Sequence, residues 1–246
     1  MRTRDPHTVR LWQAPVIAAQ ALWLRNRRPV LSCAEGLDHG VVPGPGRPSF
    51  RLAIVGESTA AGVGVTEHDH GIAGALARRV RDALGREVEW TARGAQGSTV
   101  CLTRHHVIPQ LDNDYHLVVL LAGVSDVING ETLADWSIDM AAAVEDLAVR
   151  NRHVLVAGMP PLKDFPQLPS PLAEFLDRRG QEMDVVTARI ASGRDNVTFA
   201  SSRPPKPLDP TLFAADGMHM TAAGYAGWAD ALLAEYLASP SATSAS

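Results

Sequence analysis

From residue 51 onward, short apolar runs rich in β-branched side chains alternate with longer stretches of helical pattern. Runs that are apolar throughout are typical of strands buried on both faces of a parallel sheet. The predicted strands span residues 51–56, 88–93, 116–123, 153–160 and 196–201. The predicted helices span residues 71–84, 103–111, 132–150, 171–192 and 222–237. Such a βαβ series predicts an α/β fold, in which right-handed crossovers place helices on both faces of a five-stranded parallel sheet.

Polar residues and glycines directly follow the predicted strands. Ser58 follows the first strand, Gly97 follows the second, and Ser125 and Asp126 follow the third. The segment GMPPL, residues 158–162, closes the fourth strand. Because ligands of open α/β sheets bind outside the carboxyl ends of the strands, these positions are candidates for a functional site. We interpret Asp126 as a brace for the loop backbone rather than as a chemical group.

The first fifty residues differ in composition from the rest, so we divide the chain into an N-terminal helix and linker (1–50), one α/β domain (51–238) and a disordered tail (239–246). The apolar segment 11–24 is shorter than the about 20 residues that a membrane-spanning helix needs. Its members at the spacing of an amphipathic helix are Trp12, Val16, Ala19 and Trp23. This helix either packs on the domain or rests on a membrane surface between arginines. We favour packing, because the apolar stripe is interrupted by Gln13, Pro15 and Gln20.

The charge of the chain limits its partners. A formal net charge of -4 and an isoelectric point near 6.1 provide no basic field, so we expect no nucleic-acid partner and a small, uncharged or mildly polar substrate. The histidine clusters at 68–70 and 105–106 consist of neighbours that do not readily converge on one ion, so we expect no metal site. We expect a cytoplasmic protein, with peripheral membrane association through the N-terminal segment left open.

The loop after the first strand, GESTAAGVG at residues 56–64, has the small residues of a phosphate-binding loop. It fails the dinucleotide pattern GxGxxG, because Glu67 occupies the third glycine position. It also fails the Walker pattern, because the tripeptide AGV stands where that pattern needs glycine, lysine and a hydroxyl residue. What remains is Ser58 at the mouth of a turn, where a nucleophile is raised to the edge of a sheet.

A serine nucleophile requires a base and a group that orients the base. The segment FAADGMHMTAAGY contains Asp216 and His219, three residues apart and just before a predicted helix. At this spacing the carboxylate can bind one ring nitrogen while the other nitrogen faces Ser58. Taken alone, the same spacing is also typical of a helix-capping aspartate beside a surface histidine.

Together these segments resemble the SGNH hydrolases, also called the GDSL esterase and lipase family. GESTAAGVG resembles the first block of that family, AQGST the second, LAGVSDV the third and ADGMHMTAAGY the last, in the right order over roughly residues 51–238. The resemblance implies a flavodoxin-like three-layer αβα sandwich. It implies Ser58, Asp216 and His219 as the catalytic triad, and the backbone N–H groups of Ser58 and Gly97 as oxyanion donors. It implies no metal and no organic cofactor.

Two positions depart from the family pattern. The residue before the nucleophile is usually Asp and here is Glu57, and we expect this change to have little effect. In the third block the family has an Asn whose side-chain amide donates to the oxyanion, and here that position is Ser125. We predict that the Ser125 hydroxyl partly replaces the amide. Because losing one oxyanion donor costs about 10²- to 10³-fold in rate, a slow esterase is one expected consequence.

The resemblance implies acyl transfer, and we predict a serine esterase acting on small or medium acyl esters, a class that includes lysophospholipases and thioesterases. The proline-rich segment 158–172 is predicted to wall the substrate site, although a plain surface connection is the alternative. Its predicted substrate-binding residues are Pro160, Pro161, Leu162 and Phe165. A carbohydrate O-acetyl esterase is the alternative within the fold, disfavoured by an aromatic content of 5%. A weakly active or non-catalytic binding protein is a further alternative, suggested by Ser125.

Overall fold

In the computed structural model, which describes residues 13–27 and 31–239, six strands form one sheet. The strands are β1 (His39–Val42), β2 (Gly46–Gly56), β3 (Arg86–Gly94), β4 (Leu117–Leu121), β5 (Val154–Ala157) and β6 (Val197–Ala200). Their order across the sheet is β1-β3-β2-β4-β5-β6, and all neighbours are parallel except β1 with β3. The chain therefore goes to one side of β2 first and to its other side afterwards, which makes β2 the point where the strand order reverses.

The helices lie on both sides of this sheet. They are α1 (Ala14–Arg27), α2 (Ile72–Leu84), α3 (Val100–Leu102), α4 (Val124–Asn129), α5 (Leu133–Ala148), α6 (Leu172–Ala191) and α7 (Ala222–Ala238). Helix α2 packs against α7 and α5 packs against α6, so the predicted three-layer αβα sandwich is confirmed. The hydroxyls of Thr132 and Thr221 accept backbone N–H groups in the first turns of α5 and α7, which fixes where these helices begin.

The central strands are apolar because helices cover both of their faces. Every residue of β4 and β5 is buried, and β2 is buried from Leu52 to its end. The largest fully buried side chains around the sheet are Phe50, Trp136, Tyr225 and Tyr236. The Trp136 Nε1–H is satisfied by the carbonyl of Met183 and the hydroxyl of Thr187, each at 3.2 Å, as a buried indole requires.

The predicted five parallel strands are confirmed, but the prediction of a five-stranded sheet is corrected to six. The additional strand is β1, which pairs antiparallel with β3 at the edge. Its four residues, HGVV, alternate between exposed and half-buried, so no continuous apolar run marks it in the sequence. Strand β1 and the first residues of β2, 46–50, therefore lie in the predicted linker and contribute to the sheet. Helix α4 was also not predicted.

The N-terminal helix predicted over 11–24 is present as α1 (Ala14–Arg27), while Trp12 lies outside the described residues. Leu24 is buried, and the side chain of Gln20 bonds the 169–172 loop through Ser170 O at 2.7 Å and Leu172 N at 3.1 Å. The packing alternative therefore holds for one side of this helix. Of the predicted tail, residues 240–246 lie outside the described residues, and Ser239 is buried.

His153, which precedes β5, is a buried histidine whose protonation makes the stability of the fold depend on pH. The side chain is 1% exposed, and neither ring nitrogen has a hydrogen-bond partner among the described residues. Burial lowers the pKa of this imidazole to about 4. As the pH falls, the imidazole is protonated in the unfolded chain before it is protonated in the folded one. Stability is therefore lost as the pH falls from about 6.5 toward 4. Phenylalanine does not titrate, so His153→Phe escapes this loss. When the pH is lowered from about 7 to about 5, the unfolding free energy of the variant should rise by on the order of 2 kcal/mol relative to that of the unsubstituted protein.

Urea unfolding of both proteins at the two pH values measures this gain. Comparison of the pair cancels the contributions of the other titrating groups, because the two proteins have them in common. A difference in unfolding free energy that stays constant over this pH interval would contradict the assignment of a neutral buried ring.

Candidate active site

The loop that follows β2 holds Ser58 at the carboxyl edge of the sheet. Because the strand order reverses at β2, a crevice is expected there. Gly56 has a φ of 154°, and a Cβ on it would lie 1.9 Å from the carbonyl oxygen of Leu121 in β4. Only glycine permits this approach, and the Glu57 N–H then donates to the same oxygen at 2.9 Å. The neighbouring strand thus fixes the base of the Ser58 loop.

The loop before α7 brings an imidazole to Ser58. His219 Nε2 lies 2.8 Å from Ser58 Oγ, and His219 Nδ1 lies 2.6 Å from Asp216 Oδ2. The other Asp216 oxygen, Oδ1, accepts the backbone N–H groups of Met218 and His219, each at 3.0 Å. Burial acts to raise the pKa of Asp216, but these hydrogen bonds outweigh it and hold the pKa below its ordinary value. The structure therefore brings the three predicted triad residues into one hydrogen-bonded chain.

Close backbone contacts hold the Ser58 loop against the His219 loop. The Tyr225 hydroxyl in α7 donates to the carbonyl of Val63 at 2.5 Å, and the Val63 N–H donates to the carbonyl of Ser58 at 3.1 Å. Gly64 has a φ of 99°, and a Cβ on it would lie 2.3 Å from the carbonyl oxygen of Met220. A side chain at this position would push the two loops apart. The separation between Ser58 and His219 therefore depends on this glycine.

Gly97, the second predicted oxyanion donor, belongs to the same cavity wall as Ser58. It follows β3 in a turn with a φ of 74°. Within residues 13–27 and 31–239, the N–H groups of Ser58 and Gly97 have no backbone acceptor. Backbone N–H groups without an acceptor can stabilise a tetrahedral oxyanion, and the assignment of these two as its donors stays a prediction.

The two departures from the family pattern are in direct contact. The carboxylate of Glu57 accepts the N–H of Val124 at 2.9 Å and that of Ser125 at 3.0 Å, and it also accepts the Ser125 hydroxyl. Burial raises the pKa of Glu57, while these hydrogen bonds act to lower it. The Ser125 hydroxyl thus donates its proton to Glu57 and is not a free donor. The role of Ser125 as an oxyanion donor stays a prediction. To fill that role, the Ser125 hydroxyl would have to give up its hydrogen bond to Glu57 and donate to the oxyanion instead.

Replacement of Ser125 by alanine separates the two roles. Because Glu57 retains both backbone donors, we expect Ser125→Ala to slow turnover by less than about tenfold, well short of the 10²- to 10³-fold loss typical of an oxyanion donor. A modest fall in Tm is expected from the lost hydrogen bond to a buried carboxylate. Steady-state kinetics on a soluble ester and thermal unfolding measure the two effects. If turnover instead slows by about 10²-fold or more while Tm is unchanged, the hydroxyl is assigned to the oxyanion.

A cavity of about 370 Å³ opens beside Ser58 and His219. Of the four predicted substrate-binding residues, Pro160 and Phe165 line it. Pro161 and Leu162 do not, so the prediction is corrected for these two. Leu162 begins a 3-10 turn and is fully buried in the core, where that turn packs against α6. Met159, from the predicted wall segment 158–172, also lines the cavity, as do Met218 and Met220 on either side of His219. Apolar lining residues that the sequence did not indicate include Ile128 and Trp228.

Ile128 and Trp228 carry no sequence signal that identifies them as lining residues of the cavity. Trp228 reaches the cavity from within α7, where its indole Nε1–H donates to Ser202 Oγ at 3.1 Å. The interpretation of Asp126 as a brace agrees with the structure, because its two carboxylate oxygens accept the Val100 N–H at 3.0 and 3.1 Å. Burial raises the pKa of Asp126 to about 7, and the residue does not line the cavity.

A family model and several solved structures match this chain. The model of the GDSL-like Lipase/Acylhydrolase family matches residues 54–226. No curated protein matches the chain.

Several solved structures share the fold. TesA is 20% identical with a TM-score of 0.57, and the match covers 76% of this chain and 98% of TesA. A catalytic mutant of Axe2, an acetylxylan esterase from Geobacillus stearothermophilus, is 19% identical with a TM-score of 0.55, covering 76% and 93% of the two chains. The Clostridium thermocellum family 3 carbohydrate esterase is 17% identical with a TM-score of 0.57, covering 77% and 96%. Likeness at these identities shows the fold alone.

Proposed function

Since the chain belongs to the GDSL-like lipase/acylhydrolase family and is a carboxylic ester hydrolase, we propose that it is a serine esterase that hydrolyses short- to medium-chain esters through an acyl-enzyme. The observation that carries this proposal is the continuous hydrogen-bonded chain from Asp216 through His219 to Ser58, at the wall of an apolar cavity. Lysophospholipids and thioesters of similar acyl length belong to the same substrate class.

In the acylation step, Ser58 Oγ attacks the ester carbonyl carbon while His219 Nε2 takes the hydroxyl proton. Asp216 accepts the Nδ1–H, which keeps Nε2 free of a proton before the attack and stabilises the imidazolium formed by it. The carbonyl oxygen becomes an oxyanion and accepts the N–H groups of Ser58 and Gly97. When the tetrahedral intermediate collapses, His219 gives its proton to the departing alcohol or thiol.

In the deacylation step, water repeats the sequence. His219 takes a proton from the water, the hydroxide attacks the acyl carbon, and the same two N–H groups hold the second oxyanion. The Ser58–acyl bond breaks, the acid leaves, and the proton on His219 returns to Ser58 Oγ. Residues of the chain supply each proton transfer and each hydrogen bond in this scheme.

The cavity lining supports an acyl group as the part of the substrate that is buried. Apart from the triad, the polar lining side chains are Glu57, Thr59, Gln96 and Ser125. The side chains of Glu57 and Ser125 bond each other, and most of the remaining wall is aliphatic, thioether or aromatic, which favours burial of hydrocarbon. A sugar ring needs several hydrogen-bond partners, and this wall offers few. The carbohydrate O-acetyl esterase alternative is therefore ranked second, although two of the structural neighbours are carbohydrate-directed esterases.

A panel of p-nitrophenyl esters from acetate to palmitate, run beside an acetylated xylooligosaccharide and a lysophospholipid, tests the proposal. We expect kcat/KM to rise with acyl length over the short esters and to fall for the longest ones, because the cavity has a limited volume. Substitution of Phe165 by alanine should shift the optimum toward longer acyl groups. Faster release of acetate from the oligosaccharide than from every simple ester would favour the alternative, and no turnover of any ester would contradict the proposal.

A further inference from the structure

Helix α1 carries an unusual set of side chains for a helix on a protein surface. From Ala14 to Leu24 its sequence contains no charged residue, and Gln20 is its single polar one. The Gln20 amide is already engaged, because it donates to Ser170 O and accepts the Leu172 N–H. Apart from the indole N–H of Trp23, the rest of this stretch has no polar side-chain group to offer to water.

The packing of α1 leaves most of its apolar surface outside. Ile17 and Leu24 pack toward the core on the same side as Gln20, at the i, i+3, i+7 spacing of one helix face. The exposed residues are Ala14, Pro15, Val16, Ala18, Ala19, Ala21, Leu22 and Trp23. Val16, Leu22 and Trp23 remain 42%, 61% and 45% exposed. A helix that is apolar on all sides is normally buried or in a membrane, so the outer face of α1 lacks a partner within the described residues.

Charge in the sequence indicates what kind of partner this face has. Residues 1–27 contain five arginines and one acidic residue, a formal charge of +4. The remaining residues contain 18 basic and 26 acidic side chains, a formal charge of -8. Arginines therefore stand before and after an apolar helix in a chain that is otherwise acidic. This combination of a cationic flank and an exposed apolar face is complementary to a bilayer surface that contains anionic lipid.

We propose that the outer face of α1, formed by Val16, Ala19, Leu22 and Trp23, docks on the surface of an anionic lipid bilayer. The 14 residues of α1 span about 21 Å, less than the about 30 Å of a hydrocarbon core. No helix in the described ranges is long and apolar enough to cross a membrane. Helix α1 therefore lies in the interface, with Leu22 and Trp23 inserted among the acyl chains.

The location of α1 connects this surface to the candidate active site. Pro169 borders a shallow groove together with Pro15, Val16, Ala19 and Trp23. Pro169 belongs to the segment 158–172, which also contributes Pro160 and Phe165 to the cavity beside Ser58. A bilayer bound to α1 would therefore contact one end of the segment whose other end lines the cavity.

Flotation of the full-length protein with lipid vesicles tests the proposal. The probes are vesicles of phosphatidylcholine alone and vesicles of phosphatidylcholine with phosphatidylglycerol. We expect binding to the anionic vesicles, weaker binding in high salt, and little binding to the neutral ones. The double variant Leu22→Gln/Trp23→Gln should lower the partition coefficient by about tenfold or more, because two large apolar side chains are lost from the interface.

Ile138→Gln is the matched control, because Ile138 is an equally exposed aliphatic residue, 67% exposed, on α5. It should bind anionic vesicles like the unsubstituted protein. Failure of the protein to bind anionic vesicles, or equal binding by the double variant, would overturn the proposal. So would a concentration-dependent dimer in sedimentation that the double variant abolishes, because it would identify a second copy of the chain as the occupant. Hydrolysis of a soluble ester, unchanged in all variants, reports on the active site separately.

Discussion

Ser58→Ala is expected to lower kcat/KM on p-nitrophenyl esters by a factor on the order of 10⁴ to 10⁶, with the fold intact. The substitution removes the hydroxyl that His219 Nε2 contacts along the proposed proton route, and within the described part of the chain no other hydroxyl bonds that nitrogen. Stability should change little, because the remaining side chain occupies the same space and the backbone bonds of the loop are unaffected. Kinetics and labelling with a fluorophosphonate probe measure the effect.

Ser98→Ala is the control for this experiment. Ser98 is a buried serine of the same second-block turn as Gly97, but its hydroxyl bonds Thr103 Oγ1 and the Thr99 carbonyl and does not line the cavity. This variant should retain activity and stoichiometric labelling. Fluorophosphonate labelling of Ser58→Ala, or hydrolysis within tenfold of the unsubstituted protein, would assign the nucleophile to another residue. An unsubstituted protein that is neither labelled nor active would support a binding role for the fold.

Asp216→Asn is expected to slow turnover by about 10³- to 10⁴-fold. The reason lies in the two oxygens of Asp216. Oδ1 accepts two backbone N–H groups, while Oδ2 accepts the His219 Nδ1–H. In asparagine the single oxygen must serve the backbone donors, so the amide NH₂ faces Nδ1. That nitrogen then becomes an acceptor, the proton moves to Nε2, and Nε2 loses the lone pair that takes the Ser58 proton.

The Asp216→Asn prediction is checked by the pH dependence of kcat/KM and by thermal unfolding. The value of kcat/KM should be low over the neutral range. It should recover partly at high pH, where hydroxide replaces the missing general base. Asp177→Asn is the control, since Asp177 is equally buried but pairs with Arg203 away from the cavity. It should cost stability and not kcat. A rate for Asp216→Asn within about tenfold of the unsubstituted protein would mean that another group orients His219.

The sequence predicted the elements whose pattern follows from burial. Strands β4 and β5 and the end of β2 from Leu52 lie between two helical layers, so their residues are apolar and their runs are visible without a structure. Strand β1 has one neighbour and faces solvent, and its four residues carry no such pattern. Helix α4 is six residues long, too short for a hydrophobic period to appear.

The candidate site was predictable to the extent that it depends on spacing along the chain. Asp216 and His219 are three residues apart, a separation that permits their pairing, and the resemblance of the four blocks to a known family indicated it. The contact between Glu57 and Ser125 joins residues 68 positions apart, and it exists because β2 and β4 are neighbours in register, with Gly56 opposite Leu121. The order of strands in a sheet is not written in any local pattern. The cavity wall depends on the same packing, which explains why Trp228 was missed.

The bond between Glu57 and Ser125 also bears on how this site tolerates change. The Glu57 carboxylate extends from the end of β2 to the first turn of α4, which follows the neighbouring strand β4. The residues at positions 57 and 125 are therefore not independent of each other. The acid at 57 needs its present length to reach the N–H groups of Val124 and Ser125, and the residue at 125 decides whether a side-chain donor meets that acid. We therefore expect substitutions at these two sites to be non-additive, so that the effect of changing one residue depends on which residue stands at the other.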